Sequence, residues 1–509
     1  MAWRGVTVHV EWLSRRLAQQ QEDAAATEQH RIMVTHRVSR LPGHLRATNP
    51  DTYTPGLVTI GPLHAKDAER RLRRGNRLKM AYLNSLISRG HPDASGHLAV
   101  IQGYVRLVAA RERDARAMYA AEDVDNIAAE DFIQMLVLDG CFILEHLVNF
   151  ATGREEASLH AIPFGPAQLS VDLVLAENQI PFFVLADLIS CTRLPEFDYM
   201  GSDPPILLMK LALYYLAGQK GRDMTDVLPR AGDVCHILHL LHSMVSAART
   251  RWEPSPRIQD GAVLKLAWEA AQLLPSLPLL LMVPLLYPIL PDDCKWSARY
   301  GPVSVPSASD MKWLGVRLKK AHGGGGGGGS GKASDSIVSV LGPVPLAVKL
   351  DRHGVLRLGQ LKIEFRTVPL LFNLIAFENS AELRAGDVLA YTWFMAMMVQ
   401  SAEDAAVLVE AEVVRGGAAG NETNADVVRF FRHVSAACEG AVELEVSYLG
   451  ETLQWFKGRT QHPFFAKRLA DVQRYYITVP WRIVTAFGTV ITTVLCILQA
   501  VTSFKQKPA

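Results

Sequence analysis

Apolar residues recur with a helical period along most of this chain, so the pattern predicts a mainly α protein. Across residues 132–150, FIQMLVLDGCFILEHLVNF, they cover nearly the whole circumference, which predicts a helix at the centre of a core. Residues 169–176 and 181–189 read as two further apolar helices, divided by Glu177-Asn178-Gln179, with Pro181 suited to a first helical turn. Residues 206–217 and 234–248 predict another pair, and 388–399 and 427–436 two more. The period changes in two places. Thr54-Pro55-Gly56 is a turn, after which residues 57–60 read as a short strand closed by Gly61-Pro62. Alternation over residues 355–365, with Gly354 and Gly359, predicts a β-hairpin.

The ends of the chain differ in kind. Residues 3–17 could form a short helix, but Arg4, His9, Glu11, Arg15 and Arg16 leave no signal-peptide core, and residues 1–31 read as a loose segment. Residues 483–501, IVTAFGTVITTVLCILQAV, carry no charge, and their length reaches the thickness of a hydrocarbon core at about 1.5 Å per residue. Trp481 and Arg482 on one side and Lys505 and Lys507 on the other suit interfacial anchors, so this run predicts a C-terminal transmembrane helix with the bulk of the chain cytosolic. Residues 502–509 then form a short tail. A second apolar run, 273–290, contains Pro275, Pro278, Pro284 and Pro288, which argue against a continuous span. Residues 32–480 form one large helical domain in this reading, with polyglycine at 323–331 as a loop insertion.

Composition narrows the function classes. With 509 residues, 49% of them hydrophobic and 20% charged, the chain can bury a core and is not of disordered type. Fifty-three Lys and Arg against 51 Asp and Glu give +2, so no overall charge field points to nucleic acid. The six cysteines stand singly, mostly in apolar runs, and read as small buried hydrophobes in a reducing compartment.

The chemical motifs are weak. GGGGSGK at 326–332 mimics a phosphate-binding loop, but Ala333 stands where a metal-binding hydroxyl belongs and no apolar strand precedes it. Cys235, His236, His239 and His242 share one predicted helix, where ligands spaced by three fan around the surface rather than close a tetrahedral shell. Neither HExxH nor GxSxG occurs, and the sequon at Asn421 matters only on a lumenal face. Asp139, Asp172 and Glu177 are the informative anomaly, because an unpaired carboxylate among large hydrophobes is costly. They are either structural, taking arginines or free backbone donors, or a catalytic pair.

Several blocks together carry a resemblance: YTPGLVTIGPLH at 53–64, LKMAYL at 78–83, FIQMLVLDGCFILEHL at 132–147, VDLVLAENQIPFFVL at 171–185, VPLLFNLIAFEN at 368–379, and VPWRIVTAFGTV before the apolar end. From near Met33 to the C-terminus the chain resembles the plant protein family built on domain of unknown function 247. The resemblance implies membrane-associated, mostly helical plant proteins without an assigned reaction, some grass members being linked to self-incompatibility as recognition determinants. It marks as family-motif residues of structural role Tyr53, Pro55, Gly61, Pro62, Asp139, Gly140, Cys141, Glu145, Glu177, Asn178, Gln179, Pro181, Asn373, Phe377, Glu378, Pro480 and Trp481. The resulting expectation is a protein-interaction module at a membrane surface. Its partners are the bilayer, through the C-terminal helix, and an unidentified protein; no catalytic residue, cofactor, metal or nucleic acid is expected. Plasma membrane and endoplasmic reticulum both stay open. The rivals are an enzyme using the buried carboxylates and a soluble scaffold whose last helix packs on its own core.

Overall fold

Fourteen buried residues from Phe132 to Asn149 make the helix Ala129–Thr152 the centre of the N-terminal half. The computed structural model describes residues 37–65, 72–252, 305–322, 336–438 and 447–460, with short breaks inside these ranges. Counting the helices of eight residues or more in them, the order begins with α1 (Arg73–Gly90), α2 (His97–Ala110), α3 (Ala129–Thr152), α4 (Gly165–Asp172), α5 (Phe182–Cys191), α6 (Pro204–Arg222) and α7 (Ile237–Arg251). It continues with α8 (Thr367–Ser380), α9 (Asp387–Met398), α10 (Ala402–Glu410), α11 (Asn424–Cys438) and α12 (Gly450–Thr460). The strands are β1 (Arg317–Lys320), β2 (Val348–Leu350), β3 (Val355–Leu358), β4 (Leu361–Lys362) and β5 (Val414–Arg415). The protein is mainly helical with a small sheet component.

Helix α3 starts with Glu130 and Asp131, which suit the positive end of its dipole, and stops at Gly153 in the left-handed conformation. By length and composition it is the one helix among the described residues able to cross a membrane, yet 72% of its apolar window is buried inside the protein. Helices α1, α2, α5 and α6 all pack on it. Gly140 permits the approach of α5, since a Cβ there would lie 2.4 Å from Leu188 Cδ1. In the second half α9 and α10 pack on α11, and α8 joins the halves by touching both α7 and α9. One contiguous apolar cluster runs from Val38 to Phe456.

Several expectations from the sequence are corrected. Residues 57–60 are not a strand: the chain bends at Leu57, and the segment pairs with no strand among the described residues. The hairpin expected over 355–365 is divided, because β3 and β4 belong to different sheets. β3 pairs with β2 in an antiparallel ladder and with β1 in a parallel one, while β4 pairs with β5. The helix expected to reach residue 176 ends at Asp172, where the chain turns to bury polar side chains instead. Cys235 and His236 precede α7 rather than lie in it; His236 is its N-cap and accepts from His239 N. Cys191 is exposed, unlike the buried Cys141, Cys235 and Cys438. The expected transmembrane helix at 483–501, the 3–17 and 273–290 runs and the polyglycine at 323–331 lie outside the described residues, as do Pro480 and Trp481.

Candidate functional site

The buried polar residues converge on one irregular segment, residues 52–64, which runs through the core as a strap. Its backbone N–H groups need acceptors, and no strand among the described residues supplies them. Asp172, at the end of α4, takes three: Gly56 N at 2.9 Å, Leu57 N at 2.7 Å and Val58 N at 2.8 Å. Its fourth donor is Gln168 Nε2 at 2.9 Å. Asn178 continues the clasp, accepting from Ile60 N at 2.6 Å and donating to Val58 O and to Asp172 O. Asp139 of α3 accepts from Gly61 N at 2.8 Å and pairs with Lys79 of α1. The strap is thus hydrogen-bonded by side chains much as a strand is by its neighbours.

Glu177 and Gln179 extend the arrangement outward. Glu177 accepts from Leu41 N at 2.7 Å, pairs with Arg46, and has His64 Nε2 3.1 Å away. Gln179 donates to Leu173 O and Leu175 O, accepts from Leu238 N, and its carbonyl accepts from the Tyr119 hydroxyl. Asn373 of α8 donates to Thr52 O and accepts from Ala176 N, joining the two halves through the strap. Two glycines fit the crowding. Gly61 sits at φ +73° with a virtual Cβ 2.5 Å from Gln179 O, and the virtual Cβ of Gly75 in α1 would strike Leu57 O.

Burial opposes charge in this cluster and donors favour it. For Asp139 and Asp172 burial dominates, raising both carboxyls above the ordinary range despite Lys79 and the backbone donors. Burial pushes Glu177 up too, but His64, Leu41 N and Arg46 outweigh it and hold the carboxyl below its usual value. Tyr53, buried at the start of the strap, is pushed up to about 12 by burial, with Cys438 and Glu177 adding to the effect. Each carboxylate therefore has donors on the structure itself.

The remaining motif residues hold other joints. Glu145 of α3 accepts from Ser85 Oγ at 2.6 Å and pairs with Arg89, which also reaches Glu196 and Asn149. Glu378 of α8 accepts from Val388 N and Leu389 N at the start of α9, with His242 Nε2 2.6 Å away. A Cβ on Gly386 would strike that carboxylate. Phe377 packs between the rings of His236, His239 and His242, so these histidines meet an aromatic ring. Pro55 and Pro62 are buried in the strap, Pro181 precedes α5 as its N-cap, and the Cys141 thiol is pushed up by burial.

The sequence alone does not identify the clasp's partners. Lys79, the cation on Asp139, stands in the LKMAYL block as a lone charge between Leu78 and Met80, a signal that was present. Arg46, His64 and the 56–61 backbone carry no such signal. A small cleft elsewhere is lined in part by Arg111, Phe183, Asp187, Asp233 and Cys235. There Arg111 lies 3.9 Å over the Phe183 ring and pairs with Asp187 at 3.1 Å. Burial and Asp233 push the Cys235 thiol up to about 12, so it stays protonated and weakly nucleophilic near neutrality. No group of three or more His, Cys, Asp or Glu side chains suited to a metal ion occurs among the described residues.

The profile of DUF247, described as a plant protein of unknown function, matches residues 38–495. The UPF0481 protein At3g47200 of Arabidopsis thaliana is 22% identical over 475 residues, covering 91% of this chain and 85% of that protein. A second UPF0481 protein of the same plant, At3g02645, is 26% identical over 163 residues, covering 32% of this chain and 28% of its own. No solved structure matches the chain.

Proposed function

From the premise that the chain belongs to the DUF247 family of plant proteins, we propose that it is a membrane-anchored interaction module rather than an enzyme. The observation that carries this reading is the use made of the buried carboxylates: Asp139, Asp172 and Glu177 are occupied by donors from Leu41, Gly56, Leu57, Val58, Gly61, Lys79 and Arg46. A general acid or base needs a face turned to substrate, and these groups turn theirs to the protein's own donors. The framework they build commits these groups to the interior and leaves recognition to the surface. The uncharged run at 483–501 supplies the anchor in this reading, with the helical domain at the cytosolic face. Recognition of the kind associated with self-incompatibility in grasses is the finer form of the same proposal.

The test uses the full chain with tags before Met1 and after Ala509. Carbonate-washed membranes should retain the protein, protease should remove the N-terminal tag from sealed vesicles, and proximity labelling should recover a cytosolic protein. Complete release by carbonate sinks the anchor. Labelling of insertion machinery alone sinks the interaction role.

A further inference from the structure

The three-stranded sheet presents a charge pattern that folding alone does not call for. Register places Lys319 of β1 opposite Arg357 of β3, and Arg357 opposite Lys349 of β2. Three cations therefore stand in a row across three adjacent strands, about 4.8 Å apart. Arg317, two residues before Lys319, falls on the same face. The opposite face carries Val348, Leu356 and Leu358, all buried.

Like charges directly opposite one another destabilise a sheet, and one carboxylate mitigates this row: Asp351, 3.0 Å from Arg357. Arg317, Lys319 and Lys349 are exposed and have no ion pair among the described residues. Lys320, on the other parity, is instead paired with Glu412. The ladder fixes the strand backbones, so the cations are held at strand spacing by a rigid support.

We infer that this row is a docking surface for an anionic membrane, its cations taking the phosphates of phosphorylated lipid headgroups. Charge complementarity selects the occupant: four cations on one small face match phosphates clustered on a single headgroup. None of the four positions is aromatic, so the row offers no ring on which a nucleic-acid base could stack. The inference deepens the membrane-surface reading above and rests on it.

The experiment measures binding of the full chain, held in neutral detergent, to a fluorescent short-chain phosphatidylinositol bisphosphate, with phosphatidylcholine, free inositol trisphosphate and polyglutamate as comparison ligands. The expected result is salt-sensitive binding to the phosphorylated lipid over phosphatidylcholine, weakened about five-fold by each of Lys319→Gln and Lys349→Gln. Arg106→Gln, on the exposed face of α2, should leave it unchanged. Unaltered binding by both ladder variants overturns the assignment, as does binding polyglutamate as tightly as the phosphorylated lipid, or binding free inositol trisphosphate while failing to bind the lipid. The two readings fail separately. Release by carbonate with intact, ladder-dependent lipid binding removes the anchor alone, whereas retention with ladder-independent binding removes the docking surface alone.

Discussion

The strap at 52–64 and the sheet β1–β3–β2 both hold backbone that no helix pairs, and they satisfy it in opposite ways. In the strap, five backbone N–H groups between Gly56 and Gly61 are accepted by the side chains of Asp172, Asn178 and Asp139. In the sheet, β3 is paired along both edges by other strands. The consequence falls on the side chains. Asp139, Asp172, Glu177, Asn178, Gln179 and Asn373 around the strap are committed to the interior and are 0–2% exposed. The basic residues on the sheet are not needed by the backbone ladder, and Arg317, Lys319, Lys349 and Arg357 form a cationic row on one face. The contrast shows where to look for contacts in this protein: its most conspicuous motif residues are internal, and its surface chemistry lies on an ordinary ladder.

The sharpest way to break the comparison is Asp172→Ala. It strands three backbone donors, two of them on the buried residues Leu57 and Val58, and is expected to cost about 3–5 kcal/mol in urea denaturation. A loss below about 1 kcal/mol would mean that the strap does not depend on its clasp. Two glycines with nearly the same backbone angle come next. Gly61→Ala, at φ +73° against Gln179 O, should cost about 3 kcal/mol. Gly354→Ala in the β2–β3 turn, at φ +69° with its nearest atom 3.7 Å away, should cost about 1 kcal/mol. Equal costs would show that crowding at the strap contributes nothing.

Acid separates buried groups that have partners from one that lacks them. His146 Nε2 is buried without a hydrogen bond among the described residues, and burial, with His160 adding, lowers its pKa from 6.5 to about 3. The unfolded chain therefore binds this proton first, and stability should fall by about 2 kcal/mol between pH 7 and pH 5. His146→Phe should flatten that part of a denaturation series. Glu177 acts lower. Its folded pKa is depressed, so its contribution is full above the unfolded value of 4.5 and is lost as pH falls through the folded one. Glu177→Gln should remove that later loss and leave the earlier one. The smallest effect belongs to the sheet: Lys349→Glu converts a like-charge neighbour of Arg357 into an attractive one and should raise stability by about 0.5 kcal/mol by thermal melting.

Legibility followed the range of the forces involved. The helices α3, α5, α7, α9 and α11 were readable because their apolar periodicity is local. The anomaly of Asp139, Asp172 and Glu177 was readable from the apolar residues around them, but their partners were not. Asp172 meets Leu57 across 115 residues and Asn373 meets Thr52 across 321. Within the strap, residues 57–60 have strand composition, and only the absence of a neighbouring strand among the described residues decides otherwise. The 355–365 alternation likewise announced extended chain without saying that β3 and β4 would part to different sheets.

By itself the sequence determined the helical class, the central helix, the family and the identity of the costly buried carboxylates, because propensity, periodicity and desolvation depend on neighbours along the chain. Tertiary structure alone decided which donors those carboxylates receive and that a strand-like segment is clasped by side chains. It also decided that Lys319, Arg357 and Lys349 stand side by side. Each of these depends on bringing together segments far apart in sequence, and a hydrogen bond or a charge row exists only once the fold has set their distance.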